Sequence, residues 1–139
     1  MKERFFLDTN VLIYADDLDS GDKCHAARAI LRDAIITRKG VLSTQVLQEF
    51  FVVATQKLGV QAEIARRKIE LLATMDVVGI ELQHILHAID LHRLHAFSFW
   101  DALIIGCASS AGCVRVLTED MQHGQVVAGV RIENPFRHL

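Results

Sequence analysis

Four carboxylates stand beside apolar segments of the chain, where an isolated charge is costly. Asp8 follows an apolar run at positions 5–7, Glu49 precedes one at 50–53, Asp101 precedes one at 102–105, and Asp120 comes shortly after the strand-like run 114–117. A buried charge costs several kcal/mol unless it is paired or coordinates a metal. No lysine or arginine lies close in sequence to Glu49 or Asp101. Either the fold gathers these acids around a divalent cation, or each is separately exposed at the end of its element.

Carboxylates that lie close together can bind a divalent cation. Mg²⁺ prefers oxygen ligands, keeps several waters, and is commonly held by one or two carboxylates together with substrate phosphate. An ion held in this way can activate water for in-line attack on a phosphodiester. The alternative is structural: Asp8 can cap a helix that begins near Thr9, and Asp101 can be the third residue of a cap that begins at Ser98.

The elements that position these acids follow from the hydrophobic pattern. Short strand-like runs end near positions 7, 42, 78, 117 and 132, and amphipathic helical stretches separate them. This alternation favours a parallel sheet with helices on both faces. Ligands bind outside the carboxyl ends of such strands, so Asp8 and Asp120 are expected at one rim, with Glu49 and Asp101 on helices that start nearby.

Two of the predicted helices carry further expectations. The segment 102–108 is apolar all round, which predicts a central buried helix that ends near Gly112. In the preceding helix, positions 82, 85, 86 and 89 form the most apolar stripe and are expected to face the core. His84 and His87 then lie on a solvated face, and Leu91, which points off the stripe, is expected to contact a second copy of the chain.

Bulk composition sets the class of protein. With 139 residues the chain is expected to form one domain, 1–139, and no segment approaches the roughly 18 apolar residues of a membrane span. The cytoplasm is the expected location. Hydrophobic residues make up 51% of the chain, which suggests surface covered in a homodimer. A net charge of −2 argues against a uniformly basic nucleic-acid coat. Cysteines 24, 107 and 113 have neither disulfide nor zinc spacing.

Four blocks of sequence carry a family resemblance. They are F-L-D-T-N-V-L-I at 6–13, S-T-Q-V-L-Q-E-F at 43–50, S-F-W-D-A-L-I at 98–104 and L-T-E-D-M at 117–121. Together and in this order they resemble the signature blocks of PIN-domain ribonucleases, most closely the VapC-type toxins of bacterial toxin-antitoxin pairs. The resemblance implies a three-layer α/β/α domain with a central, mostly parallel sheet of four to five strands.

The same resemblance implies the site and the activity. Asp8, Glu49 and Asp101 match the family's three core acids, and Asp120 matches the fourth, with Glu119 as the adjacent alternative. The implied activity is Mg²⁺- or Mn²⁺-dependent endonucleolytic cleavage of single-stranded RNA, and the implied partner is a cognate antitoxin protein.

Polar residues that match the family near these acids are Asn10, Ser43 and Thr118. They could hold the acids or water around the ion, or they could serve as helix and turn caps. Trp100 is expected to pack in the core or an interface, with base stacking as the alternative. Phosphate contacts are expected from residues 23, 28 and 93, a lysine and two arginines.

Two other classes of function compete with a nuclease. One is a PIN fold that binds RNA or a protein partner with negligible turnover. The other is a phosphoacceptor receiver domain, which expects an early acidic pair and a lysine at a late strand end. Here Asp8 is followed by Thr9 and Asn10, and no lysine occurs after Lys68, so the receiver is disfavoured.

Overall fold

A computed structural model describes residues 3–139 and shows one six-stranded sheet in the order β3-β2-β1-β4-β6-β5. The strands are β1 (Arg4–Leu7), β2 (Gly40–Ser43), β3 (Asp76–Val78), β4 (Cys113–Leu117), β5 (Val126–Val127) and β6 (Val130–Glu133). All neighbours pair in parallel except β5, which pairs antiparallel with β6. The predicted parallel α/β sheet is confirmed, and the short β5 is the strand that the hydrophobic pattern did not predict.

Six helices connect and flank the strands. They are α1 (Thr9–Asp16), α2 (Asp22–Thr37), α3 (Thr44–Gln56), α4 (Ala62–Leu72), α5 (Leu82–Leu94) and α6 (Phe99–Ser110). None of these helices is both long enough and apolar enough to cross a membrane. The helix α6 is buried throughout 102–108, as predicted, and it ends just before Gly112, whose φ of 74° suits glycine.

Three strands end at one edge and lead directly into the site. Strand β1 pairs with β4 so that Leu7 lies beside Leu117, and the Asp8 amide donates a hydrogen bond to the Leu117 carbonyl over 3.1 Å. Because both strands run in the same direction, the residues that follow them, Asp8 and Thr118, meet at the same edge. Strand β2 ends at Ser43, whose hydroxyl accepts from the Val46 amide over 3.3 Å and caps α3.

The orientation of α5 is opposite to the sequence prediction. Leu91 is only 6% exposed and His84 only 8%, so the side expected to face solvent is the one that packs inside. The four apolar residues expected in the core are exposed instead: Leu82, Ile85, Leu86 and Ile89. The expected dimer contact through Leu91 is therefore wrong, because this side chain lies within the domain.

Close packing between α5 and α6 explains this reversal. A Cβ atom placed on Gly106 of α6 would lie 3.5 Å from His87 Nδ1 and 3.8 Å from Leu91 Cδ1, so α5 packs close against this glycine. His84 is fixed at the start of α5, where its Nδ1 accepts a hydrogen bond from the Glu81 amide over 3.0 Å. The inward face of α5 is thus built from His84, Ala88 and Leu91, while the more apolar stripe faces outward.

Buried thiols take no part in a site. Cys24, Cys107 and Cys113 are all free and buried. Burial raises the pKa of Cys107 and that of Cys113 to about 11, which keeps both thiols protonated and unreactive near neutral pH.

Candidate active site

A cleft of about 570 Å³ opens at the carboxyl edge of the sheet, between α1, α3 and α6. Each of the four acids singled out from the sequence lines it, and they come from four separate places in the chain: Asp8, Glu49, Asp101 and Asp120. The remaining walls are mixed, with apolar side chains from all three helices and several polar ones. The fold thus brings the acids together, although more than forty residues separate Asp8 from Glu49 and Glu49 from Asp101.

Asp8 is the most deeply buried acid of the cleft, at 4% exposure. Its Oδ1 accepts from the Thr9 amide over 2.7 Å, and its Oδ2 accepts from the Thr118 hydroxyl over 2.7 Å. Burial raises the pKa of Asp8 to about 6, the negative charges of Glu49 and Asp120 add to the rise, and the two hydrogen bonds oppose it. Asp8 is therefore a helix cap and, at the same time, a carboxylate short of positive charge.

Glu49 and Asp101 face the cleft from two helices. Glu49 lies in the second turn of α3, where the Thr9 hydroxyl donates to its Oε1 over 2.8 Å. Asp101 lies half-buried in the first turn of α6, which Ser98 caps by accepting from the Asp101 amide over 3.1 Å. Burial raises the pKa of Asp101, and the charges of Asp120 and Glu49 raise it further. The acids thus repel one another across the cleft.

Asn10 and Thr118 connect Asp120 to Asp8. The Asn10 side-chain amide donates to the Asp120 carboxylate over 3.1 Å and to the Thr118 hydroxyl over 3.2 Å. That hydroxyl also accepts from the Asp120 amide over 3.1 Å while it donates to Asp8. These two residues therefore orient carboxylates, whereas the third predicted polar residue, Ser43, is fully buried outside the cleft lining and caps α3.

Glu119, the alternative fourth acid, has different surroundings from its neighbour. It does not line the cleft; its carboxylate accepts from Lys23 Nζ over 2.5 Å and from the Tyr14 hydroxyl over 2.6 Å. Burial alone would raise the pKa of Glu119, but the hydrogen bonds from Lys23 and Tyr14 and nearby positive charge outweigh it and lower the pKa. Glu119 is a neutralised partner of Lys23, and Asp120 is the acid that faces the other carboxylates.

The cationic residues expected near the cleft are placed differently from the prediction. Arg28 Nε donates to the Ala15 carbonyl over 2.8 Å and Arg93 lies exposed on α5, and neither lines the cleft. The structure therefore does not place these two arginines in the cleft wall, and Lys23 is engaged by Glu119. Trp100 was expected in the core or an interface, yet it is 61% exposed and lines the cleft beside Asp101. Packing in the core of its own domain is thus excluded.

Among the cleft-lining residues that the sequence analysis did not single out are Thr9, which holds Glu49, Gln45 of α3, and Lys57, which follows the last residue of α3. Gln45 is buried, and its side-chain amide donates to the Trp100 carbonyl over 3.3 Å. Helical spacing contained the signal for Gln45, because it lies four residues before Glu49 and therefore on the same face of α3.

The donor set fits a hard divalent cation. Carboxylate oxygens that raise one another's pKa lack positive charge, and a cation among them supplies it. Within residues 3–139, however, no three histidine, cysteine, aspartate or glutamate side chains already form a tight ligand cluster. The arrangement therefore suits an ion such as Mg²⁺, which takes one or two carboxylates and completes its shell with water and substrate oxygens.

Comparison with known proteins identifies the class. The PIN domain family matches residues 5–128, and the chain belongs to that family. A chain of a toxin-antitoxin complex from Klebsiella pneumoniae is similar in fold, with 21% identity over 94% of this chain and 97% of that one and a TM-score of 0.70. No curated protein has a matching sequence.

Two further solved structures share the fold. A DNA-bound VapBC complex from Salmonella typhimurium has a chain with 24% identity, covering 96% of this chain and 99% of that one, at a TM-score of 0.69. VapC20 from Mycobacterium tuberculosis, a toxin that cleaves the sarcin-ricin loop, has 21% identity over 84% of this chain and 91% of that one, at a TM-score of 0.63.

Proposed function

We propose that this PIN-domain protein is an endoribonuclease that uses Mg²⁺ or Mn²⁺ to cleave phosphodiester bonds of single-stranded RNA. One observation carries the proposal: four carboxylates from separate elements converge on a cleft in which burial and mutual repulsion raise the pKa of Asp8 and that of Asp101. Such an arrangement is unfavourable for the folded chain alone and becomes favourable when a cation binds, which is typical of a functional site.

Each acid has a proposed role. Asp8 and Asp101 are the main ligands of the ion, Glu49 acts through water or accepts a proton, and Asp120 holds a second or looser ion. When bound, the ion supplies positive charge to the phosphate oxygens and acidifies water. The chain's own contribution is orientation: Thr118 fixes Asp8 and Thr9 fixes Glu49 through the hydrogen bonds described above.

The biological role that we propose is that of a toxin in a toxin-antitoxin pair, active in the cytoplasm. Support comes from the sequence blocks that resemble VapC-type toxins, from the fold shared with chains of toxin-antitoxin complexes, and from the fold shared with a toxin that cleaves the sarcin-ricin loop. A short neighbouring gene for a small DNA-binding protein, whose product copurifies with this chain, would support that role. A solitary gene would favour a nuclease without an antitoxin.

The activity is tested with purified protein and labelled single-stranded RNA. Cleavage should require Mg²⁺ or Mn²⁺, stop with EDTA and resume when the metal is restored. Asp101→Asn should reduce the rate by more than about 100-fold, because loss of a ligand exceeds the 10- to 100-fold effect of residues that only orient ligands. Asp90→Asn, an exposed acid of α5, is the matched control and should retain activity. Cleavage that survives both EDTA and Asp101→Asn would remove the assignment.

A binding module without turnover is the competing function. Titration calorimetry separates the two, since the enzyme should bind Mg²⁺ with millimolar or tighter affinity in a manner that Asp101→Asn weakens. A chain that binds RNA but shows neither this ion binding nor cleavage would be the binding module.

We further propose that the protein is a homodimer that uses the outer face of α5. Its stripe Leu82, Ile85, Leu86 and Ile89 is exposed, and these positions follow one another at helical spacing. Contiguous apolar surface of this kind on a soluble domain commonly marks a contact with another chain. A second copy is the simplest occupant, because a stripe can pack against its own symmetry mate.

The oligomeric state tests this interface. Leu86 is 53% exposed, so Leu86→Glu places a charge in the contact without disturbing the core. In sedimentation velocity this variant should run as a monomer, while Gln83→Glu, an exposed neighbour off the stripe, should remain dimeric. A monomeric parent protein, or a dimer unaffected by Leu86→Glu, would contradict the proposal.

A further inference from the structure

The face of α3 that lines the cleft changes character along its length. It begins with polar side chains and Glu49, continues with Val52 and Val53, and ends at Lys57. Lys57 follows Glu49 by eight positions, which corresponds to about 12 Å along the helix axis. A polymer that lies along α3 would therefore meet the carboxylates first, then an apolar stretch, then a positive charge.

Within residues 3–139, Lys57 is the one cationic residue among the side chains that line the cleft, which also include five acids: Asp8, Asp17, Glu49, Asp101 and Asp120. No carboxylate within residues 3–139 lies within ion-pair distance of Lys57. Its side chain lines the cleft at the end of α3. The ammonium group is thus near the cleft and uncommitted.

Lys23 lies on the same rim and differs in this respect. Its ammonium contacts the Glu119 carboxylate over 2.5 Å and the Tyr14 hydroxyl over 3.4 Å, and it lies 4.9 Å from the centre of the Tyr14 ring. A phosphate at Lys23 would have to displace Glu119. A phosphate at Lys57 would displace only water, so Lys57 is the better contact for a polyanion.

We propose that Lys57 binds a phosphate of the RNA strand away from the cleavage point, so that the strand runs along α3 with the scissile phosphate at the carboxylates. This inference rests on the proposed RNA substrate and adds the path that the RNA strand takes along α3. The apolar stretch at Val52 and Val53 lies between the two phosphate positions and takes the intervening sugar or base. A cation here also offsets the repulsion between the acidic cleft and a polyanion, which no other cleft-lining residue does.

Equilibrium binding tests the path without depending on turnover. Fluorescein-labelled single-stranded RNA is titrated with the Asp101→Asn protein, and the affinity is measured by anisotropy across a range of salt concentrations. Each phosphate contact contributes about 0.7 to the slope of log affinity against log salt for single strands. Adding Lys57→Ala should lower that slope by about 0.7 and weaken binding severalfold, and Lys57→Arg should restore both.

Arg67→Ala supplies the matched control, since Arg67 is an exposed cation of α4 outside the cleft lining. This variant should leave the slope unchanged. A series of shorter oligonucleotides adds a second measure: the ratio of affinities between parent and Lys57→Ala should fall towards one when the strand is too short to reach Lys57.

The outcomes separate this inference from the nuclease proposal. Equal slopes for Lys57→Ala and Arg67→Ala, or no binding of RNA at all, would overturn the path along α3. Normal Lys57-dependent binding by a wild-type protein that never cleaves RNA would retain the path and remove the nuclease.

Discussion

Glu119 and Asp120 are neighbours in sequence with opposite electrostatic surroundings. Glu119 is held by Lys23 and Tyr14, which lower its pKa, whereas Asp120 faces carboxylates and contributes to the raised pKa of Asp8 and that of Asp101. A carboxylate that already has its cation stabilises the fold. A set of carboxylates without one is costly to the metal-free fold and available to a ligand.

The largest effect is expected from Asp8→Asn. Asparagine can still accept from the Thr9 amide and cap α1, but it removes the buried charge. If Asp8 is the proposed ligand of the ion, RNA cleavage should fall by more than about 100-fold, and the metal-free protein should be more stable. Stability and activity would then move in opposite directions at one residue.

The stability gain has a predicted pH dependence. The pKa of Asp8 is raised from 3.8 to about 6, so its contribution to stability is fully present below pH 3.8 and is lost as the pH rises through 6. That shift corresponds to roughly 2–3 kcal/mol. Urea unfolding at pH 4 and pH 7 in EDTA should show this loss for wild type and not for Asp8→Asn. A variant that is less stable than wild type at pH 7 in EDTA would show that Asp8 is adequately compensated without metal.

The next test removes the negative charge of Asp120 and, in a separate variant, that of Glu119. Asp120→Asn should lower cleavage and Mg²⁺ affinity by about 10- to 100-fold, as loss of a group around a metal site does. Glu119→Gln should leave both within a few-fold, because Glu119 faces Lys23 and not the cleft. Rates measured over a range of Mg²⁺ concentrations distinguish the variants. The reverse ranking would make Glu119 the fourth acid.

Some features of this site could be predicted from the sequence and others could not. The parallel sheet and the strand ends at Leu7 and Leu117 were predictable, since short apolar runs between amphipathic helices have few alternative folds. That placed Asp8 and Asp120 at one edge. The partner of Glu119 was not predictable, because Lys23 lies 96 residues away and the ion pair depends on how α2 packs beside α1.

Hydrophobic periodicity predicted the wrong orientation for α5. Hydrophobic spacing identifies the most apolar stripe of a helix, and in a monomer that stripe faces the core. Here Ala88 and Leu91 pack inward near Gly106, while Leu86 and its neighbours remain outside. The helix α5 therefore has an apolar face on each side, and a single sequence does not reveal which of the two packs within the domain.

The hydrogen-bond network that supports Asp8 gives a smaller expected effect. Thr118→Val removes the hydroxyl that donates to Asp8 and accepts from Asn10, so the pKa of Asp8 should rise further. We expect Mg²⁺ affinity to fall by about 10-fold or more at pH 7, with a larger deficit at lower pH because the proton competes with the ion. Calorimetric titration at two pH values measures this. Equal deficits at both would mean that Thr118 acts only through packing.

The smallest effect on stability is expected at Glu119, whose charge is already paired with that of Lys23. The Lys23 and Glu119 side chains remain partly exposed, at 35% and 26%, and such ion pairs contribute little to stability. The lowered pKa of Glu119 means that its contribution is present above its unfolded pKa and is lost as the pH falls. Glu119→Gln should therefore destabilise slightly at pH 7 and less at pH 4, opposite in sign to Asp8→Asn. Unfolding curves at both pH values decide this, and a stabilised Glu119→Gln protein would mean that both neighbours belong to the same carboxylate cluster.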